Sequence, residues 1–132
     1  MKVEKVMVIG AGQMGSGIAQ VCAQAGYTVY LNDIKPEFVE RGLGVISKNL
    51  SRHVDKGRMT EEQKQEVLTR VTASTDLNDA REVDLVIEAA VENMEIKTKI
   101  FAQLDEIAPA HAILASNTSS LPITEIAAAT KR

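Results

Sequence analysis

The sequence predicts an α/β fold in which helices cover both faces of a parallel sheet. Short runs that suit β-strands alternate with stretches of helical periodicity, and this alternation is typical of successive βαβ units. At 132 residues, of which 45% are hydrophobic, the chain has the size of one domain, and we assign residues 1–132 to it. The strands are expected near residues 3–9, 27–33, 70–74, 84–89 and 112–116.

A glycine-rich turn after the first predicted strand indicates a dinucleotide-binding site. In a GxGxxG motif the first glycine permits a tight turn, the second lets the backbone approach a pyrophosphate, and the third lets the next helix pack closely. The pyrophosphate would then lie at a helix N-terminus, where free N–H groups favour an anion. The motif is formed by Gly10, Ala11, Gly12, Gln13, Met14 and Gly15. Together with the preceding strand and the following helix, the motif predicts a Rossmann-type, doubly wound fold.

Asp33 indicates which dinucleotide binds. It lies about 20 residues after the glycine motif, at the tip of the second predicted strand, where a carboxylate accepts hydrogen bonds from ribose hydroxyls. The same charge repels a 2′-phosphate, so the sequence favours NAD over NADP. Lys35 keeps NADP open as an alternative, since its ammonium group can turn toward a phosphate or remain a solvated side chain before Pro36.

Two helices are predicted by apolar periodicity together with the residues that end them. One runs from about Gln13 to Ala25, and Gly26 follows at the position where glycine commonly ends a helix. A later helix runs from about Met94 to Ile107, before Pro109. These helices would serve as crossovers between parallel strands.

The connection from residue 34 to residue 70 is too long for a simple crossover between strands. Gly57 interrupts its helical pattern, and Thr60 with Gln63 forms a capping box that begins a second helix. We therefore predict a helical hairpin, inserted after the second strand and protruding from the fold. The apolar face of its first helix is marked by Val39, Leu43, Ile46 and Leu50.

Three cations on the first hairpin helix recur at intervals of four residues and so share one face. They are Lys48, Arg52 and Lys56. Such a stripe can hold phosphates. It can equally complement the negative end of the helix dipole without any ligand.

The bulk composition excludes several classes of partner. A formal net charge of -3 gives no overall field that would attract nucleic acid or an anionic membrane, and no apolar stretch is long enough to span a bilayer. Cys22 is the single cysteine, which favours a reducing compartment, and we expect a cytoplasmic protein. Its surroundings predict a small buried hydrophobe. No grouping of residues predicts a metal site.

The fifth predicted strand leads into a hydroxyl-rich loop, residues 116–120. Because ligands of open α/β sheets lie at the carboxyl ends of the strands, this loop would face the nicotinamide end of the crevice. It can also be explained as a cap for the next helix. Neither histidine is placed for catalysis, since His111 precedes the fifth strand and His53 lies in the cationic stripe.

Three segments taken together carry a family resemblance. Residues 10–20, residues 84–92 (Asp-Leu-Val-Ile-Glu-Ala-Ala-Val-Glu) and residues 115–121 (Ala-Ser-Asn-Thr-Ser-Ser-Leu) occur in this order. The chain resembles the NAD-binding half of the 3-hydroxyacyl-CoA dehydrogenases, in particular the bacterial 3-hydroxybutyryl-CoA dehydrogenases. These enzymes reversibly oxidise an L-3-hydroxyacyl-CoA with NAD, in fatty-acid β-oxidation or butanoate metabolism.

The resemblance implies roles for individual residues. The motif from Gly10 to Gly15 would hold the pyrophosphate and Asp33 the adenosine ribose. The nicotinamide half would be lined by Glu92, Lys97, Asn117 and Ser119.

On the substrate side, the resemblance implies that Ser119 donates a hydrogen bond to the 3-oxygen, where charge builds during ketone reduction. No base lies beside it in the sequence, so it is not expected to be a nucleophile. The hairpin of the family contacts coenzyme A, which implies that Lys56 and Arg52 do so here.

Members of the family continue with a catalytic His, a partnering Glu and a helical domain that completes the acyl pocket and forms a homodimer. We expect these parts beyond Arg132. On its own, this chain is expected to bind NAD and to turn over little substrate. The alternative is a freestanding NAD-binding or regulatory module without chemistry.

Overall fold

In the computed structural model, which describes residues 4–89, 94–109 and 112–116, five strands form one sheet. Every adjacent pair is parallel. The spatial order is β3-β2-β1-β4-β5, so the chain winds outward from β1 in both directions. Ligands of such sheets bind where the direction reverses, between β1 and β4. The strands are β1 (Lys5–Ile9), β2 (Thr28–Asn32), β3 (Val71–Ser74), β4 (Leu85–Glu88) and β5 (Ile113–Ser116).

The helices cover both faces of the sheet, as predicted. One face carries three α-helices, and the other carries the fourth together with a short 3₁₀ helix, Leu77–Glu82. That 3₁₀ helix was not predicted from the sequence. The α-helices are α1 (Gln13–Gln24), α2 (Pro36–Asp55), α3 (Glu61–Thr69) and α4 (Met94–Ile107). The doubly wound α/β fold is confirmed, with every predicted strand found within two residues of its expected ends.

The central strand β1 connects two apolar cores. Val6 and Val8 face the core beneath α1, α2 and α3, whereas Met7 and Ile9 face the core beneath α4. This alternation follows from the two-residue period of a strand. All four side chains are buried, which fixes the register of the strand that leads into the glycine motif.

The end of α1 follows the predicted pattern. Gly26 has a φ of +104°, a left-handed conformation that glycine adopts without steric cost. The N–H of Tyr27 donates to the carbonyl of Cys22 at 3.1 Å, and the N–H of Gly26 donates to that of Ala23 at 3.1 Å. Cys22 itself is partly rather than fully buried against the core, and this burial raises the pKa of its thiol.

The helical hairpin and its capping box are confirmed. The N–H of Gln63 donates to Thr60 Oγ1 at 3.1 Å, and the N–H of Thr60 donates to Gln63 Oε1 at 2.9 Å. The two bonds satisfy backbone donors that would otherwise lack partners at the start of α3.

The expectation that the hairpin protrudes holds only for its distal part, residues 51–66, none of which is buried; the part nearer the sheet is packed into the core. Val39, Ile46 and Leu50 of α2 are fully buried in the same core as β1 and β2, and Val67 of α3 joins them. The apolar face of α2 is shielded from water against α1 and the sheet, so this helix is itself part of the crossover.

No helix within the described ranges is long and apolar enough to cross a membrane.

The buried position of α2 predicts a large effect of truncating Ile46, which is 0% exposed. Ile46→Ala is expected to lower the free energy of unfolding by about 2–5 kcal/mol, because it removes buried methyl groups and leaves a cavity. Urea unfolding followed by circular dichroism measures this. The matched control is Val21→Ala on α1, 65% exposed, which should change stability by less than about 0.5 kcal/mol. Similar values for the two variants would contradict the packing described.

Candidate functional site

The first glycine of the motif is required by the backbone conformation. Gly10 follows β1 directly and has a φ of +103°, which side-chain-bearing residues rarely adopt. Its N–H donates to the carbonyl of Asn32 at 2.7 Å. The turn out of β1 is thereby attached to the carboxyl end of β2.

The other two glycines of the motif differ in what requires them. A Cβ on Gly15 would lie 1.7 Å from the carbonyl oxygen of Gly10, so close packing of α1 on the turn requires glycine there. A Cβ on Gly12 would meet nothing within 4 Å, and its φ of −71° is ordinary. Within the described residues, neither packing nor backbone strain requires glycine at position 12, and the space beside its backbone is open.

The N-terminus of α1 is suited to an anion. Gly12 is the N-cap residue, no side chain caps the helix, and its first turn contains no acidic residue. The positive end of the helix dipole therefore has no negative charge from its own first turn. Gln13 and Met14 of that turn are exposed. The open backbone at Gly12 and this uncapped helix end fit the pyrophosphate of a dinucleotide.

Asp33 is held against the glycine motif. Its Oδ2 accepts the N–H of Ala11 at 2.8 Å, and its Oδ1 accepts the N–H of Ile34 at 2.7 Å. The carboxyl group is partly exposed, and an ionised carboxylate has about four lone-pair sites. Acceptor capacity therefore remains on both oxygens for the hydroxyls of a ligand.

Ile34 was not identified from the sequence. It directly follows Asp33 and is 80% exposed, a high value for a large apolar side chain in a folded domain. The only signal available was an apolar residue immediately after the acid. The next residue, Lys35, has its ammonium nitrogen 5.8 Å from the ring centroid of Phe38.

The cationic stripe is present and faces solvent. Lys48 and Arg52 lie on α2, Lys56 is its C-cap residue, and all three are exposed. Within the described part of the chain, none of them forms an ion pair. His53 lies in the last turn of the same helix and is partly exposed.

Several predicted residues lie outside the described part of the chain. Glu92, Asn117 and Ser119 are not in the described ranges, and neither is His111. Lys97 belongs to α4 by its backbone, but its side chain is outside the description. The roles of these residues remain predictions.

Asp84, which begins the second family segment, has a structural role at the opposite end of the sheet. Its Oδ2 accepts the N–H groups of Glu4 and Lys5 at 2.9 and 3.0 Å. These bonds tie the start of β4 to the start of β1, far from the glycine motif. In the described ranges, no group of three or more His, Cys, Asp or Glu residues could hold a metal.

The strand order, the glycine turn and the acid after β2 together define a Rossmann-type dinucleotide-binding domain. Residues 5–132 match the family described as the 3-hydroxyacyl-CoA dehydrogenase, NAD binding domain. The chain therefore belongs to this family, and its cofactor is NAD.

Individual relatives agree with this assignment. A probable 3-hydroxybutyryl-CoA dehydrogenase of Bacillus subtilis is 53% identical over 100% of this chain and 46% of its own length. The glyoxysomal fatty acid beta-oxidation multifunctional protein MFP-a of Brassica napus is 42% identical over 98% of this chain and 18% of its own length. A crystal structure of (S)-3-hydroxybutyryl-CoA dehydrogenase from Ralstonia eutropha has a TM-score of 0.95 at 43% identity, covering 99% of this chain and 46% of that protein. The chain thus spans about half the length of these bacterial relatives.

The different requirements at Gly12 and Gly15 predict opposite effects of alanine. Gly15→Ala should destabilise the fold by about 1–3 kcal/mol or more, because its methyl group overlaps the Gly10 carbonyl. Gly12→Ala should lower stability by less than about 1 kcal/mol, because alanine is a poorer N-cap residue than glycine. It should weaken NAD binding about tenfold or more, because its methyl group would lie where we expect the pyrophosphate. Urea unfolding and calorimetric titration with NAD measure the two quantities. Unchanged NAD affinity in Gly12→Ala would remove this backbone from the site.

Proposed function

We propose that this chain is the NAD-binding part of an enzyme that oxidises an L-3-hydroxyacyl-CoA to the 3-ketoacyl-CoA, with 3-hydroxybutyryl-CoA as the favoured short-chain substrate. The observation that carries the proposal is Gly12, where no atom in the described part of the chain requires glycine and whose backbone borders open space at a helix end without a side-chain cap. Family membership over residues 5–132 supports it. Calorimetric titration of this chain with NAD tests it, and saturable binding is expected.

In this proposal, the residues from Gly10 to Gly15 bind the pyrophosphate and Asp33 accepts hydrogen bonds from the adenosine ribose. Ile34, exposed beside Asp33, offers an apolar surface to the adenine ring. When bound, NAD supplies the hydride acceptor. The chain's contribution is to fix the position of the dinucleotide through backbone N–H groups and one carboxylate, so that little reorganisation is needed on binding.

The nicotinamide and substrate half of the proposal rests on the family resemblance. Glu92, Lys97 and Asn117 would line the nicotinamide side. Ser119 is the proposed catalytic residue, and its hydroxyl would donate a hydrogen bond to the substrate 3-oxygen. Such a donor lowers the barrier to reduction because it stabilises the charge that develops on that oxygen.

Coenzyme A is the proposed ligand of the cationic stripe, through Lys56 and Arg52. Their exposure and their lack of ion pairs within the described ranges support this, because a structural role in salt bridges would occupy them. A cytoplasmic location, a role in butanoate metabolism and a homodimer formed through residues beyond this chain complete the proposal.

Asp33 should determine the preference for NAD over NADP. Asp33→Ala is expected to weaken NAD binding by about 1–3 kcal/mol, because bonds to a charged acceptor are lost. Loss of the Ala11 contact also disturbs the glycine turn, so the sharper measurement is the ratio of NAD to NADP affinities. Both ligands carry the same pyrophosphate, and a disturbed turn would weaken both equally. In Asp33→Asn, which keeps the shape and removes the charge, the ratio should fall. An unchanged ratio would exclude Asp33 from the ribose site.

Lys56 should affect coenzyme A binding without affecting NAD. Lys56→Glu is expected to weaken coenzyme A binding about three- to tenfold at low salt, because the charge at the end of α2 is reversed. Added salt should reduce the difference. The matched control is Arg81→Glu, the same charge change on the opposite face of the sheet. Equal effects of the two variants would indicate net charge rather than a site.

Substrate turnover by this chain alone is expected to be very low. In the family a histidine exchanges the alcohol proton, and neither histidine of this sequence is placed to do so. Incubation with NADH and acetoacetyl-CoA, followed at 340 nm, measures it. Robust oxidation of NADH would contradict this prediction.

Saturable NAD binding without turnover is expected here and is also compatible with a regulatory module. Such a module would not require coenzyme A binding at Lys56, so the Lys56 variant distinguishes the two.

A further inference from the structure

Helix α2 approaches the glycine motif closely at Gly42. A Cβ on this residue would lie 2.7 Å from Ser16 Oγ, 2.9 Å from the carbonyl oxygen of Ala11 and 3.1 Å from Ala11 Cβ. Carbon atoms in proteins do not approach other atoms this closely without displacement. The backbone of α2 therefore packs directly against the motif, with no side chain between them.

Three contacts hold the backbone of Ala11. Its N–H donates to Asp33 Oδ2 at 2.8 Å, and its carbonyl accepts the hydroxyl of buried Ser16 at 3.1 Å. Gly42 lies against the same carbonyl. Because Ala11 lies between Gly10 and Gly12, any displacement of its peptide moves the backbone that faces the cofactor.

A second contact holds the two helices at this spacing. Asn49 Nδ2 on α2 donates to Gln20 Oε1 on α1 at 3.2 Å, and Gln20 is buried. Asn49 lies two turns beyond Gly42 on the same helix. Since α2 is anchored here and by its buried apolar face, the helix cannot move away freely, and a side chain at position 42 would press on the glycine motif.

We propose that Gly42 is a positioning residue for the cofactor: the absence of its side chain sets the separation between α2 and Ala11, and thereby the position of the motif that receives the pyrophosphate. The proposal rests on the assignment of the pyrophosphate to residues Gly10–Gly15. Gly42 touches no cofactor atom in this scheme and acts through Ala11 and Ser16.

Helix α2 supplies its own matched control. Gly44 lies two residues from Gly42 on the same helix and is exposed, and a Cβ there would meet nothing within 4 Å. Glycine is unfavourable in the interior of a helix, so alanine improves helix propensity equally at both positions. The two substitutions differ only in what the new methyl group contacts.

The experiment compares Gly42→Ala and Gly44→Ala with the unchanged chain, using calorimetric titration with NAD, urea unfolding and amide NMR spectra. Gly44→Ala should raise the urea midpoint and leave NAD affinity unchanged. Gly42→Ala should weaken NAD binding at least about tenfold in fully folded protein, where each tenfold step is about 1.4 kcal/mol. Without ligand, its amide resonances from Gly10 to Gly15 should shift, and those of the control should not.

Ser16→Ala provides a second test that does not add volume. It removes the hydroxyl that holds the Ala11 carbonyl, and it should weaken NAD binding by itself. In the double variant with Gly42→Ala, the atom nearest the new methyl group is absent, so the combined loss should be smaller than the product of the two single losses. If Gly42→Ala does not fold, weakened binding in folded Ser16→Ala supports the proposal and unchanged binding overturns it.

Equal NAD affinities of folded Gly42→Ala and Gly44→Ala would overturn the proposal, as would independent effects of Ser16 and Gly42. A purely structural role for Gly42 would lower the urea midpoint without changing the affinity of folded protein. Failure of the unchanged chain to bind NAD would refute the proposed function instead. The amide resonances of the motif would then still decide whether Gly42 positions it.

Discussion

The attachment of the glycine turn to the end of β2 is the constraint on which the site depends. The glycine turn directly follows β1, which is buried on both faces of the sheet. The path of the chain into Gly10 is therefore fixed. From there, the N–H of Gly10 donates to the carbonyl of Asn32 and the N–H of Ala11 donates to the carboxylate of Asp33, and these two hydrogen bonds join the ends of two neighbouring strands. The acid proposed to recognise the ribose therefore also shapes the turn proposed to bind the pyrophosphate. A change at Asp33 is therefore expected to affect the binding of the pyrophosphate as well as that of the ribose.

Three glycines in one short motif are present for three different physical reasons. Gly10 adopts a left-handed conformation, Gly15 permits close packing of α1, and Gly12 borders space that is open in the described part of the chain. In the proposed function, only the open space at Gly12 concerns a ligand. A match to the glycine pattern does not distinguish these reasons. They are distinguished by the backbone conformation at each glycine and by the atoms that a Cβ there would contact.

The features predicted from sequence were those with local signals. The strand and helix pattern, the glycine end of α1 and the capping box at Thr60 depend on neighbouring residues and were found as expected. The position of Asp33 beside the glycine motif was predicted for the same reason, since the acid has a characteristic spacing from the motif; its role in binding stays a prediction. The packing of α2, the short 3₁₀ helix after β3 and the bond from Ala11 to Asp33 were not predicted, because each depends on contacts between distant segments. Gly42 carried no sequence signal, since its neighbours Ser16 and Ala11 are brought to it only by the fold.

Helix α2 touches the glycine turn near one end and carries Lys48, Arg52 and Lys56 toward the other. At 1.5 Å per residue, about 20 Å of continuous helix separates Gly42 from Lys56. A single residue inserted between Gly42 and Lys48 would rotate the cations by roughly 100° around the helix axis while Gly42 stayed in place. Changes of chain length in evolution should therefore be excluded from this stretch and confined to the exposed tip around Gly57 and Arg58, where no helical phase has to be preserved.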